Sequence, residues 1–308
     1  MRQTWKLAVV GVSLLAMLTG CSSTGGDDSS TASGDSSTAS DAGDNTAMSG
    51  AISVISREEG SGTRSAFIEL FGIEEEDANG EKVDNTTEEA VTTNNTAAMI
   101  TNVSGNPNAI GYVSLGSLND TVKAVKIDGN EATAENVKAG TYKVSRPFNI
   151  VTKTDGVSEL AQDFINYIMS TDGQAIVEEE GYVPMDTTTE YSSNGATGTL
   201  TVGGSSSVSP LMEKLAEAYE AANADADVQI QTTDSTTGVT STIDGSYDIG
   251  MASRAVKDEE VSQGVTGTQI AIDGVAVIVN NENTMDDLTS DQVKNIFTGS
   301  VTDWSEVA

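Results

Sequence analysis

Short apolar runs alternate with segments of helical periodicity from residue 51 to the end of the chain, and this alternation most restricts the fold. Strands that alternate with helices tend to pair in a parallel sheet, because each helix carries the chain back across one face of the sheet. The sequence therefore predicts an α/β protein with mostly parallel sheets. Strands are expected at 52–55, 109–113, 144–151, 200–202, 228–231, 248–251 and 275–279, and helices near Thr63, Ser158, Pro210, Gly238 and Ser290.

Two glycine- and serine-rich turns lie directly before predicted helices. Residues 57–63 read Arg-Glu-Glu-Gly-Ser-Gly-Thr, and residues 204–210 read Gly-Ser-Ser-Ser-Val-Ser-Pro. Such a turn presents backbone N–H groups, hydroxyl donors and the positive end of a helix dipole to one point. Arg57 adds a planar guanidinium group that suits an oxyanion. In a chain whose net charge of −32 repels anions elsewhere, these turns predict an anion-binding site.

The composition excludes several classes of function. The chain has no histidine, which removes Ser-His-Asp and Cys-His catalysis and the commonest ligand of transition metals. The acidic charge argues against nucleic acid as a partner and against electrostatic docking on anionic lipid. We therefore expect neither an enzyme nor a metal site. A phosphatase or a Ser-Lys hydrolase is kept as an alternative, because the hydroxyl groups are clustered and the composition permits a lysine base.

The first fifty residues are predicted to lie outside the fold. Two basic residues precede an apolar run at 7–18 that is short for a membrane span, so residues 1–20 are expected to be a lipoprotein signal peptide. Cys21 is the only cysteine and follows Leu-Thr-Gly, which predicts that it becomes the lipidated first residue. The alternative is an ordinary signal peptide with an incidental cysteine. Residues 21–50 have few large apolar side chains and are expected to form a disordered tether.

Further motifs make the chain resemble the phosphate-binding proteins of bacterial phosphate ABC importers, the PstS family. Residues 200–308 resemble the first half of that family, in GSSSVSP (204–210), DIGMASR (248–254), IAIDGVAVIVN (270–280), LTSDQVKNIFTG (288–299) and TDWSEV (302–307). Residues 51–185 resemble the second half, in REEGSGT (57–63), AIGYVSLG (109–116), YKVSRPFNIVT (142–152) and the segment 160–185. Because the halves occur in reverse order, the resemblance implies a circular permutation.

The resemblance implies a two-lobed type II periplasmic-binding-protein fold, in which two crossing hinge strands join the lobes and the ligand lies in the cleft between them. One lobe would be residues 146–275, with the GSSSVSP turn. The other would combine residues 51–145 with 276–308 and carry the REEGSGT turn. Residues 187–199 would be the new link between the old chain ends. An alternative is that the two halves of the chain pair with halves of neighbouring chains.

A permuted single chain also has a geometric consequence. It requires Ala51 and Ala308 to lie close together, because the unpermuted family joins these positions through few residues. It further requires Ser61 and Ser206, distant in sequence, to face one another across one cleft.

Ligand residues are implied by the same resemblance. The expected set is Arg57, Ser61, the Gly62 N–H and Thr63 from the first turn, Ser206 and the Ser207 N–H from the second, Ser235, and the donors Ser253 and Arg254. Asp234 and Thr236 stand where glycines are more usual, which puts close approach of the backbone near Ser235 in question. Arg254 is either a second anion ligand or a partner of Asp248 or Asp273.

A site that selects phosphate over sulfate needs a carboxylate that accepts the phosphate proton, because sulfate has no proton to offer near neutral pH. Some family members place an aspartate just after the serine of the DIG-A-S turn, and this chain has Arg254 there. Asp273 is therefore the expected acceptor, with a turn or cap residue as the alternative.

The resemblance as a whole implies an extracytoplasmic, lipid-anchored receptor that binds inorganic phosphate for the membrane subunits of an ABC permease. We expect a monomer without a cofactor. The alternative within the same class is a binder or sensor of another oxyanion, such as sulfate, molybdate or tungstate.

Overall fold

The computed structural model describes residues 48–307. The predicted signal peptide, Cys21, nearly all of the predicted tether and Ala308 lie outside this range. The strands are β1 (Ser53–Arg57), β2 (Glu74–Glu76), β3 (Lys82–Asp84), β4 (Val91–Thr93), β5 (Ala109–Ser114), β6 (Val122–Ala124), β7 (Lys126–Ile127), β8 (Ser145–Lys153), β9 (Val183–Pro184), β10 (Gly198–Ser205), β11 (Ala226–Thr233), β12 (Ile249–Ala252), β13 (Val265–Asn280) and β14 (Asp287–Leu288). The helices are α1 (Gly62–Leu70), α2 (Thr96–Ser104), α3 (Ala134–Lys138), α4 (Glu159–Ile168), α5 (Thr171–Glu179), α6 (Ser209–Ala222), α7 (Ser235–Asp244), α8 (Asp258–Val261) and α9 (Ser290–Phe297).

A mixed sheet with the strand order β11-β10-β12-β8-β13-β5-β1-β4 forms the centre of the molecule. Both flanks are parallel: β10 pairs with β11 and β12, and β1 pairs with β4 and β5. The pairs in the middle are antiparallel. The predicted α/β class is confirmed, and parallel pairing holds at the flanks. Helix crossovers make the flanks parallel, whereas the central strands β8 and β13 run in opposite directions.

The long strand β13 passes from one flank of the sheet to the other. Its residues 265–274 pair with β8, and its residues 275–279 pair with β5. The change of partner falls between Gly274 and Val275. The family resemblance implies that the segments in β8 (YKVSRPFNIVT) and β13 (DGVAVIVN) are the two crossing hinge strands, and the structure places β8 and β13 side by side.

Two large hydrophobic cores flank the point between Gly274 and Val275 at which β13 changes its pairing partner from β8 to β5. One core contains the stacked pair Phe67 and Tyr112, whose ring centroids are 3.9 Å apart, together with Trp304. The second core contains Phe164 and Tyr219. Buried members of the first core come from positions 54–144, from Val183 and from 275–307, and those of the second from 148–271. The predicted lobe boundaries stay a prediction, and this distribution of apolar residues agrees with them.

Local sequence signals account for most helix starts. Ser61 caps α1 by accepting a hydrogen bond from the Arg64 N–H, and Thr289 forms a capping box with Gln292 at α9. Pro210 lies in the first turn of α6, where its missing N–H costs nothing. Ser209 before Pro210 would be a good N-cap by its sequence, but the N-cap position is occupied by Val208, and Ser209 is the first residue of the helix. No helix between residues 48 and 307 is long and apolar enough to cross a membrane.

The described N-terminal segment lies against the C-terminal segment. Ala51 forms an isolated antiparallel bridge with Asp303, and the Trp304 N–H donates to the Gly50 carbonyl at 3.0 Å. The Ile52 N–H donates to the Thr302 carbonyl at 2.8 Å. Because Ala308 is outside the described residues, the predicted proximity of Ala51 and Ala308 is not measured directly. The neighbouring residues nevertheless have the closeness that a permuted chain requires.

Residues 187–199, the expected link, are irregular up to the start of β10 and are held by one buried carboxylate. Asp163 on α4 accepts hydrogen bonds from the Tyr191 hydroxyl at 2.7 Å and from the Asn194 N–H at 3.0 Å. It also accepts from Tyr219 and Asn223 at the end of α6. The link is therefore bound to the surface of two helices along part of its length.

Candidate anion-binding site

Arg57 is the last residue of β1 and lies at the centre of the candidate site. Its side chain is almost fully buried and makes a bidentate ion pair with Glu58, in which Nε and Nη2 each lie 2.7 Å from a carboxylate oxygen. Nη2 also donates to the Ser206 Oγ at 3.1 Å. This last contact joins the two glycine- and serine-rich turns, which are 149 positions apart in the sequence.

Hydroxyl groups make the second set of contacts between the turns. Thr63 Oγ1 lies 2.8 Å from Ser207 Oγ. Thr96 Oγ1 lies 3.2 Å from Ser206 Oγ and 3.3 Å from Ser207 Oγ, and the Thr96 N–H donates to Ser206 Oγ at 3.3 Å. We call Arg57, Thr63, Thr96, Ser206 and Ser207 the hydroxyl cluster. Because a hydroxyl group can rotate its proton toward a new acceptor, the same groups can donate to one oxyanion.

The turn before α7, which carries the expected ligand residue Ser235, packs against the start of α1. The Ser253 N–H donates to Ser235 Oγ at 3.0 Å, and both serines are fully buried. A Cβ atom at Gly62 would collide with Ser235 Oγ and lie 2.7 Å from Ser253 Oγ. Only glycine therefore permits this close approach. The first residues of α1, α2 and α7 and the turn before α6 thus lie close together, which concentrates first-turn N–H groups in one region.

The two residues that replace glycines, Asp234 and Thr236, have identifiable structural roles. Asp234 caps α7 by accepting from the Thr237 N–H at 2.9 Å. The Thr236 N–H and Oγ1 each lie 3.2 Å from the Gly60 carbonyl oxygen. The backbone of the first turn therefore approaches α7 closely, and Thr236 makes the contact.

Ser61 and Ser207 differ in detail from the sequence expectation. The Ser61 hydroxyl caps α1. The contacts between the two glycine- and serine-rich turns are made by Arg57 with Ser206 and by Thr63 with Ser207. The Ser207 N–H donates to Ser205 Oγ at 3.3 Å, and it is the Ser207 hydroxyl that points into the cluster.

Arg254 lies outside the hydroxyl cluster. Its guanidinium group makes a bidentate ion pair with Glu260, at 2.7 and 2.9 Å, and Nη1 also donates to the Ala255 carbonyl. Burial raises the pKa of Glu260, but the hydrogen bonds from Arg254 and the Lys257 N–H and the two positive charges together outweigh it, so the pKa lies below its usual value. Neither Asp248 nor Asp273, the two partners considered from the sequence, pairs with Arg254. Arg254 holds α8 to the turn after β12.

Asp273 is bonded to Ser114, Leu115 and Arg146 and to no member of the hydroxyl cluster. It lies in β13 and is fully buried. Its Oδ1 accepts from Ser114 Oγ at 2.9 Å and from the Leu115 N–H at 3.0 Å, and its Oδ2 accepts from Arg146 at 3.0 and 3.1 Å. Burial raises the pKa of Asp273 to about 6, against the opposing effect of the Arg146 charge. With four donors already bound, the carboxylate has no acceptor position left for a phosphate proton.

Two residues of the site escaped the sequence analysis. Thr96 begins a short helix whose sequence, TAAMITNVS, has weak apolar periodicity, although Asn95 before it is a good N-cap. Glu58 was treated only as part of the REEGSGT motif, because no sequence rule states which of the two glutamates pairs with Arg57. Its side chain lines a cavity of about 820 Å³ with Thr96 and Ser206. Within residues 48–307 no group of three or more acidic side chains could hold a metal ion.

Comparison with known proteins agrees with this arrangement. A family model described as a PBP superfamily domain matches residues 35–172 and 189–308. The chain is 52% identical over 302 residues to the phosphate-binding protein PstS 2 of Streptococcus agalactiae, covering 98% of this chain and 97% of the relative. It is 45% identical over 262 residues to PstS 2 of Streptococcus pneumoniae, covering 85% and 89%.

Among solved structures, the chain resembles the phosphate-binding protein of a phosphate ABC transporter from Streptococcus pneumoniae. The TM-score is 0.67 at 45% identity, covering 84% of this chain and all of the other. The chain therefore belongs to the PstS family of phosphate-binding proteins, within the PBP superfamily.

Proposed function

We propose that this protein binds inorganic phosphate in the hydroxyl cluster, as the extracytoplasmic receptor of a phosphate ABC transporter. The observation that supports this most is the contact of Arg57 and Thr63 with Ser206 and Ser207. It brings one bidentate cation and several rotatable hydroxyls to a point where four helices begin. Such an arrangement matches a tetrahedral oxyanion, which needs many donors in all directions.

The electrostatic balance of the site suits selective capture. Arg57 is paired with Glu58 through Nε and Nη2, so an anion would be held by the remaining N–H groups of the guanidinium together with hydroxyl groups, backbone N–H groups and helix dipoles. The acidic remainder of the chain would repel anions that lack these contacts. The named relatives are binding proteins, and a phosphatase or Ser-Lys hydrolase is left without support.

Isothermal titration calorimetry of the purified protein with phosphate, sulfate and molybdate tests this function. We expect tight binding of phosphate with a 1:1 stoichiometry and much weaker binding of the other two anions. Preference for sulfate or molybdate would support the alternative oxyanion receptor. Turnover of a phosphomonoester would instead support an enzyme.

A permuted arrangement of two lobes is part of the proposal. It is supported by the pairing of Ala51 with Asp303 and by the division of the core on either side of Gly274. A rearranged gene that begins at Leu200, joins residue 308 to residue 51 through a short linker and ends at residue 185 should yield a folded protein with unchanged phosphate affinity. A rearranged chain that cannot fold would contradict the proposal. Sedimentation of the natural chain as a dimer would favour exchange of halves.

Anchoring through Cys21 is proposed on sequence grounds, since this residue lies outside the described range. A diacyl anchor uses two chains, which suffice for stable membrane attachment where one is marginal. Cys21→Ala should release the protein from the membrane fraction, whereas Ser22→Ala should leave it there. Ligand binding should be the same in both variants, and retention of the Cys21→Ala protein would point to another anchor.

A further inference from the structure

One carboxylate is in direct contact with the arginine of the candidate site. Glu58 places both of its oxygens 2.7 Å from Arg57 nitrogens. The Arg57 side chain is 3% exposed and that of Glu58 is 20% exposed, so the pair lies at the wall of the cavity. Since Nη2 of Arg57 also donates to Ser206, the carboxylate and the hydroxyl cluster share one nitrogen.

We propose that Glu58 is the acceptor that lets the site distinguish a protonated oxyanion such as hydrogen phosphate from a fully ionised one such as sulfate. The inference rests on the proposed function and assigns its selectivity to a residue. A carboxylate accepts the O–H of hydrogen phosphate and has no proton to donate. Against sulfate the same carboxylate meets an oxygen without a proton, which leaves two negative groups in contact.

Two buried carboxylates are already bound by other groups, and Glu213, which also lines the cavity, is an exposed residue of α6. Asp273 accepts four hydrogen bonds, and Glu260 is bound by Arg254. Asp234 also lines the cavity and accepts one hydrogen bond at each oxygen, but both come from Thr237 at the start of α7, and among the carboxylates of residues 48–307 only that of Glu58 is bonded to Arg57. Within residues 48–307, the Glu58 side chain accepts two hydrogen bonds, both from Arg57 and one at each oxygen. An ionised carboxylate has about four lone-pair positions, so Glu58 retains acceptor capacity on the side of the cavity.

The backbone holds Glu58 in this position. Its N–H donates to the Thr93 carbonyl at 2.9 Å, which continues the pairing of β1 with β4 by one residue. Its carbonyl accepts from the Ser61 N–H at 3.2 Å, inside the first turn. Glu59, the next residue, is exposed, and the carboxylate bonded to Arg57 is that of Glu58. The two glutamates therefore form a matched pair for mutagenesis.

The test compares Glu58→Gln with Glu59→Gln by calorimetric titration with inorganic phosphate and with sulfate at neutral pH. Glutamine retains the shape and one acceptor oxygen but removes the negative charge. In Glu58→Gln we expect the ratio of phosphate affinity to sulfate affinity to fall by at least about tenfold, chiefly through stronger sulfate binding. In Glu59→Gln the ratio should be that of the wild type.

A third variant, Glu58→Asp, retains the charge and should keep most of the discrimination even if phosphate affinity falls. Thermal unfolding establishes that each variant is folded. An unchanged ratio in Glu58→Gln, an equal change in Glu59→Gln, or loss of discrimination in Glu58→Asp would each overturn the inference while the wild type still binds phosphate. A wild-type protein that binds no phosphate would overturn the proposed function itself.

Discussion

The Arg57–Glu58 pair and the Arg146–Asp273 pair have the same chemistry in different surroundings. Both arginines are buried, and both bind a carboxylate through Nε and Nη2. Asp273 is completely buried between strands, and its two remaining acceptor positions are filled by Ser114 and Leu115. Glu58 instead lies at the edge of a cavity, among hydroxyl groups that can change partners.

This difference separates a structural ion pair from one that can take part in binding. A buried carboxylate whose four acceptor positions are filled cannot accept from another proton donor without losing a hydrogen bond that it has. The Arg146–Asp273 pair therefore ties β8 and β13 together where β13 changes partner. The Arg57–Glu58 pair has rotatable neighbours and capacity to spare, so a ligand can join it. The following predictions test this contrast, beginning with the largest expected effect.

Removal of the arginine at the cavity should abolish most binding. Arg57→Ala removes the only cation in the hydroxyl cluster, and charge-assisted hydrogen bonds contribute about 1.5–3 kcal/mol each. We expect phosphate affinity to fall by at least about a hundredfold, measured by calorimetry. Lys214→Ala, which removes the same charge from the exposed face of α6, is the control and should bind normally. Tight binding by a folded Arg57→Ala protein would remove Arg57 from the site.

Neutralising the buried aspartate should affect stability and leave selectivity intact. In Asp273→Asn an amide nitrogen faces N–H and O–H donors, and the buried Arg146 loses its countercharge, a kind of change that costs about 3–5 kcal/mol. The unfolding free energy in urea should fall accordingly, and it should fall by less in Glu58→Gln, because the Glu58 carboxylate is partly exposed to solvent.

The same two variants, Asp273→Asn and Glu58→Gln, are also compared by their ratio of phosphate affinity to sulfate affinity. We expect the ratio in Asp273→Asn to equal that of the wild type. A larger change in this variant than in Glu58→Gln would make Asp273 the acceptor, as the sequence alone suggested.

Adding a methyl group where Gly62 packs against Ser235 and Ser253 should weaken phosphate binding without destabilising helix α1. Gly62→Ala favours α1 by up to about 1 kcal/mol in helix propensity, yet its Cβ would push against Ser235 and Ser253. We expect phosphate affinity to fall by roughly tenfold. The control is the melting temperature, which should change little if the α1 helix remains intact. Unchanged affinity would show that the serine turn at α7 is not part of the site.

The smallest effect is expected from one hydroxyl. Thr96→Val keeps the shape of the side chain and removes its contacts with Ser206 and Ser207, a loss of about 0.5–1.5 kcal/mol. Phosphate affinity should fall by several-fold in calorimetry. Thr101→Val, on an exposed part of the same helix, should have no effect. Equal binding by both variants would place Thr96 outside the ligand shell.

Much of the local structure could be predicted from the sequence. All seven expected strands form, and the two glycine- and serine-rich turns do precede helices. The capping box at Thr289 and the position of Pro210 follow from contacts over three or four residues. Such signals are readable because they depend on neighbouring residues alone. Helix α2 was missed because its nine residues have little apolar periodicity, and packing rather than pattern stabilises it.

The sequence by itself determined which local elements form and which donors are present: the strands, the capped helices, Arg57 and the serine and threonine hydroxyls. Only the tertiary structure decided which charges meet. Arg254 pairs with Glu260, Asp273 is enclosed between strands, and Glu58 is left beside Arg57 at the cavity. The physical reason is that an ion pair depends on distance and on competing donors. The pairing of β8 with β13 across more than a hundred positions encloses Asp273, and the packing around β1 and β4 leaves Glu58 at the cavity although it is next to Arg57 in sequence.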